Sequence, residues 1–385
     1  MGSAVSSSLR ASLDAYSRSF VEALEGSLAG GGVCSPLGAW LLLALLAPAV
    51  GAGSEELAAQ LGLPAEEAAL RARALLESDQ GDYLAALAVW SNVELRSDWL
   101  DRLPAGASRG AVPVASGLDK WATEATRGLI ESYPNAEQAA EEEILLATAL
   151  SARTLWKSPF DQGEVLWGVK RVDGLYRDCL ESLGERAGVA RVSGSELAFA
   201  DIVAEDESRV LLVIGEEGVG PAAVLAAAHE IAATLDGAGT AELLGRDDLP
   251  VGRGHSWELR EDASSWACTE ITTVPFELSS SHRLEQAPGF KELSTTSLSG
   301  LTASGHAEPV SAQQAAVARF HSKGFEAAAL TSMLVASASM GYDQRLLSLS
   351  FSRPFGFVAR DRDGLPWFAG WVNEPAAEPR AEEEW

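Results

Sequence analysis

The stretch that decides the fold lies near the C-terminal end and reads Ser322-Lys323-Gly324-Phe325-Glu326-Ala327-Ala328-Ala329-Leu330-Thr331-Ser332. Small and medium side chains continue from there to Gly341. Because such side chains bury little apolar surface, they anchor a segment poorly and predict a mobile surface loop. The next proline is Pro354, and Val, Thr and Ser suit an extended backbone, so the same segment is able to join a sheet as an added strand. Composition alone leaves open a loop that is merely flexible.

The residues after this loop have the pattern of β-strands. Leu347, Leu349 and Phe351 alternate with serines, which places the apolar side chains on one face of a strand. Residues 355–359 and 365–372 flank a charged turn and are expected to pair as a hairpin.

The first half of the chain contains helical patterns and one long apolar strand. Residues 9–24 have apolar side chains at three- and four-residue spacing, which predicts an amphipathic helix. Residues 39–47 predict a buried helix, which is far shorter than the roughly 20 residues needed to span a bilayer. Residues 119–133 predict a second amphipathic helix, and residues 144–156 predict a buried strand. We therefore expect a mixed fold and no membrane partner.

The charge excludes polyanionic partners. The chain of 385 residues carries a formal net charge of -26, with Asp and Glu outnumbering Lys and Arg by 55 to 29. Nucleic-acid binding depends on clustered Lys and Arg that neutralise phosphates, so nucleic acid is not an expected partner.

Catalytic and metal-binding patterns are weak. Cys34, Cys179 and Cys268 have neither a C-x-x-C nor a metal-ligand spacing, so we expect no metal site and no cofactor. The segment 106–110 fits G-x-S-x-G, which raises the alternative of a hydrolase using Ser108, but its flanks favour a flexible turn. The histidines are scattered without a partnered spacing. The sequence therefore predicts no catalytic residues and a protein that is not an enzyme.

The opening segment also carries a family resemblance. Residues 324–329 resemble the serpin hinge, which usually reads G-T-E-A-A-A. Further serpin landmarks follow the expected order: Ser35-Pro36-Leu37 with residues 51–57; Trp121 with Thr126, Gly128 and Ile130; Trp156-Lys157-Ser158-Pro159-Phe160; and Arg353-Pro354-Phe355 with residues 370–375. Together they span about residues 10–375, while residues 160–260 diverge. The chain thus resembles a bacterial-type member of the serpin family.

The resemblance implies an architecture. Serpins have an α+β fold with three β-sheets, about eight or nine helices and an exposed reactive-centre loop. Here the resemblance implies one serpin domain over residues 1–373 with the loop at about 322–345. The acidic tail, residues 374–385, is expected to be disordered.

The resemblance also implies a function: inhibition of a serine-type endopeptidase as a suicide substrate. In serpins the target protease is trapped as a covalent acyl complex after the cleaved loop inserts into the main sheet, and the inhibitor is a monomer. The implied hinge comprises Gly324, Phe325, Glu326, Ala327, Ala328 and Ala329. The implied sheet-opening region comprises Ser35, Thr148, Trp156 and Gln314, with Thr148 and Gln314 standing where the family usually has Asn and His.

Counting from the hinge glycine places the reactive bond at Ala338-Ser339, which suits an elastase-like or subtilisin-like protease. Because the spacer to residues 353–355 is several residues longer than usual, Met340, Tyr342 and Arg345 are alternatives. Tyr342 implies a chymotrypsin-like target and Arg345 a trypsin-like one.

Phe325 motivates a second hypothesis, a non-inhibitory serpin that acts as a binding or carrier protein. Serpins usually carry Thr or Ser at this inward-facing position, and a bulky ring is expected to slow the first step of insertion. No signal peptide is visible in the Ser-rich N-terminus, which predicts a cytoplasmic protein, with an extracellular protein as the alternative because the family is often extracellular.

Overall fold

The computed structural model describes residues 7–50, 54–78, 83–261, 269–293, 298–305, 312–325 and 345–377. Within these ranges it contains ten α-helices and twenty β-strands. The helices are α1 (Ser7–Ala23), α2 (Glu25–Leu28), α3 (Pro36–Leu46), α4 (Ser54–Leu61), α5 (Ala65–Glu77), α6 (Ser97–Leu100), α7 (Ala115–Ala125), α8 (Ala136–Ala139), α9 (Pro221–Leu235) and α10 (Phe290–Leu293).

The strands alternate with these helices in the first half of the chain and dominate the second half. They are β1 (Gly32–Cys34), β2 (Tyr83–Ser91), β3 (Ser108–Gly110), β4 (Ile144–Ala152), β5 (Thr154–Leu155), β6 (Asp161–Trp167), β7 (Lys170–Asp178), β8 (Arg186–Val192), β9 (Ser195–Val203), β10 (Arg209–Ile214), β11 (Glu242–Leu244), β12 (Gly252–Arg253), β13 (Trp257–Glu261), β14 (Thr269–Thr273), β15 (Phe276–Arg283), β16 (Gln313–His321), β17 (Gly324–Phe325), β18 (Arg345–Ser350), β19 (Phe355–Arg360) and β20 (Pro366–Val372).

The described strands form four sheets, where the family resemblance implied three. A seven-stranded sheet has the order β1-β20-β19-β10-β9-β8-β11, and a six-stranded sheet has the order β12-β13-β18-β14-β7-β6. The other two are β15-β16-β17-β5 and β3-β2-β4. Only Arg153 separates β4 from β5, so the last two are halves of one broad sheet. We call this pair the divided sheet. The additional sheet arises because its two halves are not paired along β4 and β16 within the described ranges.

The core forms where the seven-stranded sheet packs against α3 and α9. The predicted hairpin is confirmed as β19 and β20, which pair antiparallel across the charged turn. The buried helix predicted at residues 39–47 is confirmed as α3, in which all eleven residues are buried. This helix starts earlier than predicted because the Ser35 hydroxyl accepts a hydrogen bond from the Gly38 amide at 3.1 Å and so caps its N-terminus.

Two sequence predictions were wrong in their boundaries or type. The helix predicted at residues 119–133 is α7, which begins at Ala115 and ends at Ala125. It ends because Arg127 and Gly128 have φ of 53° and 86°, a left-handed conformation that stops a helix. The segment containing Ser108 is not a turn but the exposed edge strand β3, parallel to β2.

The strand predicted at residues 144–156 is confirmed as β4 followed by β5. None of the helices in the described part of the chain is both long enough and apolar enough to cross a membrane.

Candidate functional site in the divided sheet

Strand β17, the start of the segment that the resemblance assigns as the hinge, lies inside the divided sheet. It pairs antiparallel with β16, where Phe325 faces Phe320, and antiparallel with β5, where Phe325 faces Thr154. The intact chain therefore already has the first two hinge residues placed as a strand between β16 and β5. The remaining hinge residues, Glu326, Ala327, Ala328 and Ala329, lie outside the described residues.

Gly324 is required by the close approach of β5. A Cβ atom at this position would lie 2.3 Å from the carbonyl oxygen of Thr154 and 3.3 Å from the Cα of Leu155. Contacts this short force backbone apart, so a residue with any side chain displaces β17 from its place. Glycine here is a packing requirement of the inserted hinge.

Phe325 is 2% exposed and belongs to the main hydrophobic core. Its ring centroid lies 5.8 Å from that of Phe357 on β19, and Phe357 lies 5.0 Å from Phe276 on β15. Edge-to-face and tilted contacts at such distances are favourable beyond their buried area. The expectation that this ring obstructs the first step of insertion assumed a ring outside the sheet, and the structure corrects that assumption. The ring fits because Phe276 and Phe357 provide an aromatic floor beneath β17.

Trp156 fixes the turn that leads into the hinge. Its ring centroid lies 4.9 Å from that of Phe320, and its indole Nε1 donates a hydrogen bond to the carbonyl of His321 at 2.9 Å. Its backbone amide donates to the carbonyl of Lys323 at 3.0 Å. Trp156 therefore lies at the hinge end of the divided sheet, away from the other three residues that the resemblance assigned to sheet opening.

Those three residues lie together at the opposite end. The Ser35 amide donates to the Gln314 side chain, and the Gln314 side chain donates to the Ser35 carbonyl, each at 2.8 Å. The Ser35 hydroxyl donates to the carbonyl of Trp367 at 2.8 Å. Thr148, on β4, donates to the carbonyl of Gly38 at 3.0 Å. Side chains from both halves of the divided sheet thus bond to the N-terminal turn of α3.

A cleft separates the halves at this end. It has a cavity volume of about 50 Å³, enough for a few water molecules. Gln314 and Thr148 line it from β16 and β4, and Trp121 and Ile130 line it from α7 and the segment after it. The α7 helix packs on the half that contains β2 and β4, where its Trp121 contacts Trp90. The cleft is therefore bounded by elements that belong to different halves of the sheet.

His282 is a member of this region that sequence reasoning missed. It lies on β15 directly opposite Gln314 and is 2% exposed. Its Nε2 donates to the carbonyl of Val33 at 2.7 Å, and its Nδ1 lies 3.1 Å from the hydroxyl of Ser27. Burial lowers its pKa, although the bond to Val33 favours the charged form. The sequence did contain a signal for its burial, because the alternation of side chains along the strand places His282 on the same face as Phe276 and Leu278.

The far end of the loop lies in a different sheet. Ala338, Ser339, Met340 and Tyr342 lie outside the described residues. Arg345 is the first residue of β18 and pairs with Glu261 of β13. Its guanidinium donates hydrogen bonds to the carbonyls of Asp247 and Leu249. The segment 326–344 therefore joins the divided sheet to the six-stranded sheet.

Among the residues that the structure describes, His, Cys, Asp and Glu form no group of three or more suited to a metal ion. Burial raises the pKa of the Cys34 and Cys179 thiols to about 12, so neither is a reactive thiolate near neutral pH. Cys268 lies outside the described residues.

Comparison with known proteins gives a fold. No protein-family model matches the sequence. No curated protein matches it either. Solved structures do match. A highly specific serpin of the insect Tenebrio molitor is 17% identical, with a TM-score of 0.67 over 97% of this chain and 100% of that one. A serpin of Arabidopsis in its native stressed conformation is 16% identical, with a TM-score of 0.67 over 96% of this chain and 100% of that one.

A complex of thyroxine-binding globulin with thyroxine is 14% identical, with a TM-score of 0.64 over 96% of this chain and 99% of that one. At these identities the likeness shows the fold, which is the α+β serpin fold.

Proposed function

We propose that this chain is a serine-type endopeptidase inhibitor that acts as a suicide substrate. The observation that carries the proposal is the position of β17, which places the first two hinge residues between β16 and β5. Beyond β17 the two halves of the sheet are unpaired within the described residues, and a cleft separates them. The serpin fold, shared with a structure described as a highly specific serpin and with one in a native stressed conformation, supports the same function.

The register of β17 supports a specific path for entry of the rest of the loop. Phe325 lies opposite Phe320 and Thr154. Thr331 lies six residues after Phe325 in the loop. Gln314 lies six residues before Phe320 on β16, and Thr148 lies six residues before Thr154, on β4. If the loop continues to pair with β16 and β4 in this register, the Thr331 hydroxyl comes to lie between Gln314 and Thr148, at the polar end of the cleft. Because side chains alternate along a strand, Ala327, Ala329 and Thr331 share the inward face with Phe325.

The chemical step belongs to the target protease. Its serine hydroxyl attacks the carbonyl carbon of Ala338, the bond to the nitrogen of Ser339 breaks, and the released amine takes up the proton. An ester then joins Ala338 to the protease. Loop entry moves this ester away from the loop pole before water hydrolyses it, so the protease stays attached. Entry is favourable because a new strand satisfies backbone groups on both halves of the sheet, at roughly 1 kcal/mol for each net hydrogen bond.

The geometry also supports a reactive peptide bond that lies on the N-terminal side of Arg345. That residue is held in β18, with its guanidinium bonded to backbone carbonyls. A protease needs an extended segment that it can draw into its cleft, and a residue paired within a sheet does not supply one. We therefore keep Ala338-Ser339 as the proposed reactive bond, with an elastase-like or subtilisin-like target, and retain Met340 and Tyr342 as alternatives.

The test is to mix the protein with elastase, subtilisin, chymotrypsin and trypsin. We expect at least one enzyme to give a covalent complex that survives SDS, and mass spectrometry of the released fragment then identifies the reactive bond. Clean cleavage by every enzyme without a complex contradicts the proposal.

A matched pair of hinge variants tests the register. Ala329→Glu places a carboxylate on the inward face, so we expect cleavage without a covalent complex. Ala328→Glu places it on the other face, and most of the complex should remain. Equal loss of the complex in both variants contradicts the register.

A second candidate function is a non-inhibitory binding or carrier protein. Phe325 favours it, because a buried aromatic side chain holds the start of the hinge in place in the intact chain. The structural likeness to thyroxine-binding globulin supports it as well, since that protein is in complex with thyroxine. Thermal unfolding before and after loop cleavage separates the two functions: a large rise in the midpoint supports the inhibitor, and an unchanged midpoint supports the carrier.

A further inference from the structure

The strand that ends the loop is paired on both edges. Strand β18 is antiparallel to β13 over five residue pairs, from Arg345 with Glu261 to Leu349 with Trp257. On its other edge it is parallel to β14 over four residue pairs. It therefore lies inside the six-stranded sheet, and no open edge of β18 is available from which it could be peeled away.

Strand β13 is itself fixed to the body of the protein. The indole of Trp257 is 8% exposed, and its Nε1 donates to the carboxylate of Glu196 on β9 at 2.8 Å. The chain before β13 folds tightly over this ring, since a Cβ atom at Gly254 would lie 2.1 Å from Trp257 Nε1. The Gly254 amide also donates to the carbonyl of Trp257 at 2.9 Å.

Contacts at both ends of β18 come from the same segment. At the N-terminal end, the Arg345 guanidinium bonds to the carbonyls of Asp247 and Leu249. At the C-terminal end, the Ser350 amide donates to the carbonyl of Ser256 at 2.9 Å. Between them, Leu346, Leu347 and Leu349 are at most 1% exposed. Residues 247–261 thus hold β18 along its whole length, and we call them the clamp.

The clamp matters because the loop ends in two different sheets. The intact segment 326–344 is tied to β17 at one end and to β18 at the other. Full entry of an uncleaved loop into the divided sheet therefore requires β18 to leave the six-stranded sheet. After cleavage, the N-terminal part of the loop is free and β18 stays in place.

We propose that the clamp makes loop entry conditional on cleavage, and so prevents the intact protein from inserting its own loop and losing activity. This inference rests on the proposed function, because it assumes that the loop enters the sheet. Trp257 is a positioning residue in this proposal, since it acts through β13 on β18.

The variant Trp257→Ala tests the clamp. On incubation of uncleaved protein, we expect it to convert to a form with a raised thermal midpoint and no complex formation at least about tenfold faster than the wild type. Mass spectrometry must show that the chain is intact in the converted form. Trp257→Phe keeps a smaller aromatic ring and removes the bond to Glu196, so its conversion should be closer to the wild-type rate than that of Trp257→Ala. Val169 lies in the turn between β6 and β7, at the opposite edge of the same sheet, and is 97% exposed. The control variant Val169→Ala should therefore convert at the wild-type rate. Equal rates for Trp257→Ala and the wild type overturn the proposal.

Hydrogen exchange of the wild type provides a test that does not depend on folding of a variant. Amides of β18 should exchange far more slowly than those of the edge strand β6, and equally fast exchange overturns the clamp. Cleaved wild-type protein is measured in parallel. If its thermal midpoint does not rise, the proposed function fails, while slow exchange in β18 still establishes that the strand is held.

Discussion

The two ends of the divided sheet are built from different chemistry. At the hinge end, β17 fills the space between β16 and β5, and Phe325 packs on the aromatic floor of Phe357 and Phe276. At the other end, β16 and β4 are separated by a cleft of about 50 Å³, and Gln314 bonds to Ser35 on α3.

The difference teaches how a sheet can be closed at one end and ready to open at the other. When two buried aromatic rings separate, their van der Waals attraction is lost, because the void between them contains no atoms that could make equivalent contacts. A hydrogen bond is exchanged for another at a net difference of about 1 kcal/mol. We therefore infer that the hinge end stays closed, and that an entering strand replaces the polar contacts at the other end one by one.

The largest expected effect comes from the aromatic end. Phe325→Thr removes the buried ring, and we expect the free energy of unfolding of the intact protein to fall by about 3 kcal/mol. Urea unfolding measures this loss. Phe325→Leu is the matched control, since it keeps much of the apolar volume and should cost about 1 kcal/mol.

The same variant bears on loop entry. The ring lies in the sheet before cleavage, so we expect Phe325→Thr to change the rate of loop entry less than it changes stability. The steric argument from the sequence predicts faster entry instead. Stopped-flow fluorescence after cleavage decides between them, and unchanged stability in Phe325→Thr would show that the ring is not in the sheet in solution.

A smaller effect is expected at the polar end. Gln314→Ala removes two hydrogen bonds to the backbone of Ser35, and we expect a loss of about 2 kcal/mol in the free energy of unfolding. Gln313→Ala is the matched control, since the side chain of this neighbouring glutamine accepts a hydrogen bond from the exposed Asn135, and the substitution should cost less than about 0.5 kcal/mol. Equal losses in the two variants would mean that the polar cluster does not join the halves of the sheet.

The smallest expected effect is a pH dependence from His282. Burial lowers its pKa below the ordinary value of 6.5. A group with a lowered folded-state pKa contributes stability above its unfolded pKa and loses it as the pH falls toward the folded value. We therefore expect His282 to destabilise the polar end as the pH falls below about 6.5.

His282→Gln isolates this contribution. Other groups also titrate in acid, above all His229, whose pKa burial lowers to about 3. The informative quantity is therefore the difference in thermal midpoint between the wild type and His282→Gln, measured from about pH 8 to about pH 5. A difference that does not change with pH would show that His282 keeps an ordinary pKa.

Sequence patterning predicted the elements whose register is local. The apolar alternation and charged turn before Val372 predicted the β19 and β20 hairpin, and the apolar run from Ile144 predicted β4 and β5. Helix α7 was misplaced because its amphipathic pattern continues past Gly128, where left-handed backbone stops the helix. The pattern of apolar and polar side chains does not predict that left-handed backbone conformation.

The sequence predicted part of the membership of the candidate site and did not predict its arrangement. Ser35, Gln314 and Thr148 were identified by resemblance, and the structure brings the first two into contact. Trp156 was grouped with them but lies at the hinge end, and His282 was missed. Residues that face each other across a sheet have no fixed sequence separation, so neither placement could be read from the chain.

The sequence by itself determined the mixed fold, a segment of small residues without proline and a strongly acidic net charge, because composition and periodicity act on each segment separately. Only the tertiary structure decided that Phe325 lies inside the sheet, that a cleft separates β16 from β4, and that β13 holds β18. Each of these features depends on contacts between segments that are distant in the sequence. Burial and close packing arise only when those segments come together in the folded protein.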